Sequence, residues 1–126
     1  MKEFDVFVQD KPGELAKVCE LLGAHGVNIR AIASERTNQR PIIRIVTDDE
    51  ATAKGALSRS GIQYDMKDVF SIRILDRPGE LGKIARKLAR SMVNVDSIYI
   101  LGKDGGMTEM AMTVDSLKKA EEALQK

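Results

Sequence analysis

Apolar side chains near the start of the chain change from a two-residue spacing to the spacing of a helix. Phe4, Val6 and Val8 alternate with polar neighbours, which predicts a β-strand with one buried face. After a Pro-Gly-Glu turn, apolar residues recur at the i, i+3, i+4, i+7 positions of an amphipathic helix, namely Leu15, Val18, Cys19 and Leu22. The pattern therefore predicts a strand, a turn and a helix.

The same succession returns in the second half of the chain at an offset of 66 residues. The segment Asp10–Lys17 (DKPGELAK) recurs as Asp76–Lys83 (DRPGELGK), and Val27-Asn28 recurs as Val93-Asn94. Two copies of one structural unit explain such self-similarity. We therefore predict two units, residues 1–67 and 68–126.

Two β-rich segments and a second helix follow in each copy. The β-rich segments are 27–35 and 41–47 in the first copy and 93–101 and 107–114 in the second. Turn residues between them, at 37–39 and 103–106, predict hairpins. The second helices are predicted at 48–60 and 116–125, and a last strand at 62–67 follows only in the first copy.

This order is β-α-β-β-α-β, so the predicted fold class is α+β, with two ferredoxin-like units whose antiparallel sheets carry helices on one face. The second unit lacks its last strand, which would leave residues 69–75 as an apolar edge. The edge is covered by a neighbouring chain or by the first copy's last strand, or it stays open, or the chain has been shortened. We expect coverage. Units of about sixty residues are also marginal alone, which favours a homodimer.

Composition excludes several classes of protein. The formal net charge is +1, whereas a nucleic-acid-binding protein needs a basic excess. The single cysteine, Cys19, rules out an internal disulfide, and no apolar run suits a signal peptide or a membrane span. We therefore expect a cytoplasmic protein that binds neither nucleic acid nor membrane.

The duplicated motif resembles the ACT domain. The run Asp-x-Pro-Gly-Glu-Leu-x-Lys, an amphipathic helix, and then Val-Asn-Ile or Val-Asn-Val occur in both copies, at residues 10–29 and 76–95. ACT domains are regulatory modules that mostly bind amino acids and are usually attached to metabolic enzymes. The resemblance therefore implies a free-standing tandem ACT protein, an allosteric regulator with a metabolic enzyme or regulator as its partner.

In ACT domains the loop after the first strand and the Asn commonly line the ligand site, which often lies between paired units. The residues implied are Asp10, Pro12, Gly13, Glu14, Leu15, Asn28 and Ile29, with Asp76, Pro78, Gly79, Glu80, Leu81, Asn94 and Val95 in the second copy. A helix N-terminus can hold a carboxylate, glycine allows close approach, and an aspartate can accept an α-ammonium group. We expect the Asn side chains to lie beside that turn.

Each residue type also has a purely structural explanation. Aspartate caps turns, and glycine satisfies local geometry. Glu14 and Glu80 complement the helix dipole and can pair with Lys17 and Lys83. The two asparagines can stabilise the entry to the strand. These explanations stay open at this stage.

Other residues offer little chemistry. His25 is the only histidine and lies at a predicted helix end, and Cys19 falls on the apolar stripe. Met110 and Met112 alternate on a strand, which favours a core position. No nucleophile–base pair or metal cluster is apparent, so we expect no enzyme, no cofactor and no metal. Two functions remain: a sensor of an amino acid or similar small metabolite, or a ligand-independent protein–protein interaction module.

Overall fold

The computed structural model describes residues 1–36 and 40–125, and within them the chain divides into two compact units, Met1–Lys67 and Asp68–Lys126. The elements of unit 1 are β1 (Lys2–Phe7), α1 (Glu14–Ala24), β2 (Ala31–Arg36), β3 (Pro41–Thr47), α2 (Glu50–Arg59) and β4 (Tyr64–Asp68). The elements of unit 2 are β5 (Phe70–Leu75), α3 (Glu80–Arg90), β6 (Val95–Asp104), β7 (Met107–Val114) and α4 (Leu117–Leu124). The predicted turn at residues 37–39 lies outside the described residues.

The sheet of unit 1 has the strand order β2-β3-β1-β4, which confirms the predicted ferredoxin-like arrangement. β3 lies between β1 and β2 and is antiparallel to both, with Ile45 opposite Phe4 on one side and Ile32 on the other. Because β2 and β1 share this antiparallel neighbour, they run in the same direction. The ends of β1 and β2 therefore lie at one end of the sheet, and their starts lie at the other.

The core of unit 1 lies between the sheet and the two helices. Phe4 and Val6 of β1 are buried there together with Val18 and Leu22 of α1 and Leu57 of α2. Each such side chain contributes about 1.5–3 kcal/mol through burial. Leu15, the first position of the predicted apolar stripe, is instead 48% exposed because it belongs to the first turn of α1, beside the loop.

The sheet of unit 2 has the order β5-β7-β6, so β5 is an edge strand within the described chain. The last strand of the first copy, β4, belongs to the first sheet. It therefore does not pair with β5, so the expectation that the last strand of the first copy covers this edge is wrong. Met110 and Met112 of β7 are buried, as their alternation predicts.

The strands after the first helices begin later than the sequence pattern indicates, at Ala31 and Val95. The reason is a Schellman-type cap in unit 1, in which the Val27 amide donates to the Leu22 carbonyl at 2.9 Å and the Gly26 amide donates to Gly23. The equivalent residues of unit 2 form the same bonds. Both valines are buried, but their amides end a helix rather than extend a strand.

No helix in the described parts of the chain combines the length and the apolar character that crossing a bilayer requires.

Candidate functional site

Both strand–helix loops end in a glycine with a left-handed backbone. Gly13 has φ 93° and Gly79 has φ 88°, and each precedes a helix whose N-terminal amides donate no hydrogen bond to a capping side chain. A Cβ at either position would meet no atom within 4 Å, so the positive φ requires glycine, whereas crowding does not. The structural explanation therefore holds for both glycines, and space beside each backbone is open.

A depression lies beside the loop of unit 1. Its volume is about 180 Å³, and three elements line it: the loop at residues 8–11, the first turn of α1 at Glu14 and Leu15, and the edge strand β2 at residues 34–36. Pro41 and Ile43 of β3 complete the lining. The sequence motif thus forms one wall of a real concavity.

An equivalent depression of about 140 Å³ lies in unit 2. Residues 74–77 of the loop, Leu81 of α3, Ile100 and Lys103 of β6, and two residues of β7 line it. The duplication of the sequence therefore extends to a duplicated concavity at the same place in the fold.

Each depression contains an ion pair between the loop aspartate and a cation near the end of the edge strand. Nη2 and Nε of Arg36 lie 2.5 and 3.1 Å from Oδ2 of Asp10. Nζ of Lys103 lies 3.3 Å from Oδ1 of Asp76. The carboxylates thus point towards the edge strand, and acidic and basic groups meet in both depressions.

The two loop glutamates have different partners. Glu14 accepts a hydrogen bond from the Gln9 amide at 2.9 Å. Glu80 lies between Arg77 at 2.6 Å and Lys83 at 3.1 Å, and these two hydrogen bonds, that of Arg77 first, lower its pKa below the usual range for a carboxyl group. The i, i+3 pair expected from the sequence therefore forms in unit 2, whereas Glu14 accepts a hydrogen bond from the loop backbone.

Asn28 lies at the opposite end of its unit from the loop. Asn28 precedes β2, whose first residue, Ala31, pairs with Val46 near the end of β3. The last residues of β1 and β2 instead pair with the start of β3, Phe7 with Ile42 and Arg36 with Pro41. α1, with 11 residues, separates the two places by about 16 Å.

Asn94 has the corresponding place in unit 2, where its backbone N–H donates to the Asp115 carboxylate at 3.0 Å. The expectation that Asn28 and Asn94 lie beside the loop of their own unit is therefore wrong. β1 and β2 point the same way, so the start of one cannot meet the end of the other. Ile29 and Val95 follow these asparagines and pack, partly buried, against the two cores.

The remaining predicted residues stay with the loops. Pro12 and Pro78 are exposed in them, and Leu15 and Leu81 line the depressions. Sequence reasoning missed Arg36 and Lys103. The predicted hairpins could have indicated them, because a parallel β1 and β2 bring the loop and the hairpin to one end of the sheet.

A second cavity of about 240 Å³ lies between the same loop of unit 1 and the start of β4. Its cation Arg40 is held by the protein: the guanidinium lies 5.3 Å from the Phe7 ring centre and donates to Gln63 Oε1 at 2.9 Å. Two residues of its lining, Glu14 and Lys17, recur in unit 2 as Glu80 and Lys83.

His25 behaves as a helix-end residue, since its Nδ1 lies 2.9 Å from the Leu21 carbonyl oxygen. Cys19 is half-buried on α1. Across residues 1–36 and 40–125, no three His, Cys, Asp or Glu side chains converge as ligands for a metal ion.

Comparison with known proteins identifies the fold. A protein from Bacteroides thetaiotaomicron, BT0572, has a structure that matches 98% of this chain and 85% of its own, with a TM-score of 0.88 and 23% identity. The regulatory subunit of aspartate kinase from Thermus thermophilus, in its ligand-free form, matches 98% of this chain and 87% of its own, with a TM-score of 0.72 and 19% identity. The structure of the aspartokinase alpha and beta subunits matches 98% and 89%, with a TM-score of 0.70 and 18% identity. No curated protein matches the sequence.

The family described as ACT domain pair matches residues 1–125, which is nearly the whole chain. The paired ferredoxin-like units and the repeated strand–helix loop agree with that match. The chain belongs to the ACT domain pair family.

Proposed function

We propose that this protein is a non-enzymatic regulator that binds an amino acid or a similar small metabolite at its strand–helix loops. The observation that carries the proposal is the duplicated depression. In both units an aspartate and a cation form an ion pair beside the first turn of a helix whose N-terminus has no side-chain cap, and the left-handed glycine before that helix does not itself line the depression. The regulatory subunit of aspartate kinase shares the fold, and this similarity supports the proposal of a regulatory role.

These groups suit a zwitterion. The α-ammonium group of an amino acid would bind Asp10 or Asp76, and its carboxylate would bind Arg36 or Lys103 together with the helix amides. The side chains of both ion pairs are exposed: 54% for Asp10 and 77% for Arg36, and 43% for Asp76 and 56% for Lys103. Such pairs contribute little stability, so a ligand can insert between their partners at small cost.

The proposed ligand contacts are the predicted loop residues that line the depressions, together with the two cations from the edge strands: Asp10, Glu14, Leu15 and Arg36 in unit 1, and Asp76, Leu81 and Lys103 in unit 2. Pro12, Gly13, Pro78, Gly79 and Glu80 belong to the same loops but do not line the depressions. Asn28, Ile29, Asn94 and Val95 lie at the far end of each unit, so they would not contact a ligand held in the depression of their own unit. We further propose that the protein is cytoplasmic, where its lone cysteine stays reduced.

The test is thermal unfolding of the full chain with each of the twenty L-amino acids at millimolar concentration. A ligand at about 100 times its Kd adds roughly 2.7 kcal/mol of stability, which raises Tm by several degrees. The double variant Asp10→Asn/Asp76→Asn should lose the shift, because it removes both proposed ammonium acceptors.

A matched control is Asp65→Asn/Asp96→Asn, which changes one exposed aspartate in each unit away from the depressions. It should keep the shift. A stabilising amino acid that acts equally on all three proteins would refute these loops as the site, and a flat panel on the wild type would refute amino-acid binding.

A second function, an interaction module that needs no small ligand, has its own observation. Leu15 and Leu81, and Ile32 and Ile98, are large apolar side chains that stay 40–48% exposed at equivalent positions of the two units. Repeated exposed apolar positions are typical of interaction surfaces, here between two copies of the chain. Sedimentation equilibrium of the wild type and of Ile32→Lys/Ile98→Lys tests it: a homodimer that the variant converts to a monomer would support it, and a monomeric wild type would refute it.

A further inference from the structure

Ser34 and Ile100 occupy equivalent positions in the two depressions. Ser34 of β2 lies opposite Ile43 of β3, and Ile100 of β6 lies opposite Met110 of β7. Both members of each pair line the depression of their unit. The same backbone position thus presents a hydroxyl group in unit 1 and a branched apolar side chain in unit 2.

A second lining position differs in the same direction, because Gln9 of unit 1 corresponds to Leu75 of unit 2. Ile74, Leu81 and Met110 complete an apolar wall in unit 2, where unit 1 has Val8, Leu15 and Ile43. Leu75, Leu81 and Ile100 are 43%, 40% and 57% exposed, so this apolar surface faces open space. Covering it would be favourable by about 25 cal/mol per Å².

The polar groups of unit 2 are also held less firmly. Lys103 makes one contact with Asp76, at 3.3 Å, whereas Arg36 directs two nitrogens of its planar guanidinium at Asp10. The other cation of the unit 2 loop, Arg77, is held by Glu80 at 2.6 Å. A flexible lysine is therefore the cation that a ligand carboxylate can recruit in unit 2.

We propose that the depression of unit 2 binds a free L-amino acid with an apolar side chain, and that Ile100 determines this specificity. The proposal rests on the proposed function and adds the class of ligand and the unit that binds it. The ammonium group lies on Asp76, the carboxylate on Lys103, and the side chain on Ile100, Leu81 and Met110. The depression has a volume of about 140 Å³, which is below the range of about 300–1,000 Å³ for pockets that bind drug-sized ligands. A free amino acid is smaller than a drug and suits this volume.

The experiment is isothermal titration calorimetry of the full chain with L-leucine, L-isoleucine, L-valine, L-methionine, L-serine, L-aspartate and L-lysine. We expect binding of one or more of the four apolar amino acids. Ile100→Ser should weaken that binding by about tenfold, because it removes much of the apolar contact surface. Ile100 is 57% exposed, so the variant should fold normally.

Met92→Ser is the control. It also replaces an exposed apolar side chain of unit 2 with serine, at a residue that is 81% exposed and does not line the depression, so it should bind as the wild type does. Asp76→Asn should abolish binding, and Asp10→Asn should leave it unchanged.

The outcomes separate this inference from the proposed function. Binding of serine, aspartate or lysine alone would overturn the apolar specificity while supporting amino-acid binding. Binding of an apolar amino acid that Asp10→Asn abolishes, or that Ile100→Ser leaves unchanged, would overturn the assignment to unit 2. If none of the seven amino acids binds, the inference fails, and the proposed function fails with it if the thermal-unfolding panel of twenty amino acids is also flat.

Discussion

Arg36 and Asp10 join the end of the edge strand to the strand–helix loop of unit 1, with Nη2 and Nε of the guanidinium 2.5 and 3.1 Å from one carboxylate oxygen. Lys103 and Asp76 join the same two places in unit 2. The cation is therefore in the same place in both units although its residue type differs. This ion pair, rather than the loop alone, defines the polar side of each depression.

The Asp10–Arg36 pair should contribute little to stability. A double-mutant cycle with Asp10→Asn and Arg36→Gln should give a coupling energy below about 1 kcal/mol, because both side chains are more than half exposed. The coupling should fall further in 1 M NaCl, where the Debye length is about 3 Å. Urea unfolding of the wild type, the two single variants and the double variant measures the coupling energy. A coupling above about 2 kcal/mol would show that the pair stabilises the fold and that its charges are not available to a ligand.

Glycine-to-alanine substitutions should have opposite effects at two kinds of position. Gly79→Ala should lower the free energy of unfolding by about 1 kcal/mol, because φ 88° is unfavourable for any residue with a Cβ. Gly82→Ala, three residues later in α3, should raise it by about 0.5–1 kcal/mol, because a helical glycine costs conformational entropy and its Cβ meets nothing within 4 Å. Chemical denaturation checks both signs. Equal effects would contradict the backbone argument.

Met92 should be a site of stabilisation. Its φ of 59° is left-handed, and its equivalent in unit 1 is Gly26, with φ 72°. Met92→Gly should raise the free energy of unfolding by about 1 kcal/mol, because the cap requires a left-handed residue and the Met92 side chain is 81% exposed. Gly26→Ala, the reverse exchange, should lower it by a similar amount. Thermal unfolding of the two variants would contradict the cap if Met92→Gly were destabilising.

Stability should depend on pH through Asp5, a buried residue of β1. Burial first, and then the hydrogen bond and charge of Glu3, raise its pKa to about 6, while Lys67 acts in the opposite direction. The Arg44 guanidinium also lies 3.1 Å from Asp5. Because the pKa is higher in the folded state than the ordinary aspartate value of 3.8, the folded state binds more protons between about pH 4 and 6.

The stability that proton binding at Asp5 adds to the folded state is therefore fully present below about pH 4 and is lost as the pH rises through about 6. It amounts to at most about 3 kcal/mol. The difference in unfolding free energy between the wild type and Asp5→Asn should fall over this range and stay constant above pH 7. A difference that rises with pH would contradict a raised pKa. Asp65→Asn, at an exposed position of β4, serves as the control.

The duplicated fold follows from local patterns in the sequence. Two-residue alternation at Phe4 and Val6 and helical spacing at Val18 and Leu22 are local patterns, and burial of those side chains agrees with them. The repeated Pro-Gly motif marked the loops because a helix start after a left-handed glycine is also a local property. Such features depend on neighbours in the chain, so one sequence contains them.

Which residues share a site depends on how distant segments of the chain pair in three dimensions. Asn28 is closer in sequence to the end of the loop than Arg36 is to Asp10, yet the parallel course of β1 and β2 puts Asn28 at the far end and brings Arg36 to the aspartate. The exposure of Ile100 inside a depression likewise depends on the register with Met110. Strand direction and register arise from pairing between distant segments, and for that reason the spacing of residues along the chain could not reveal them.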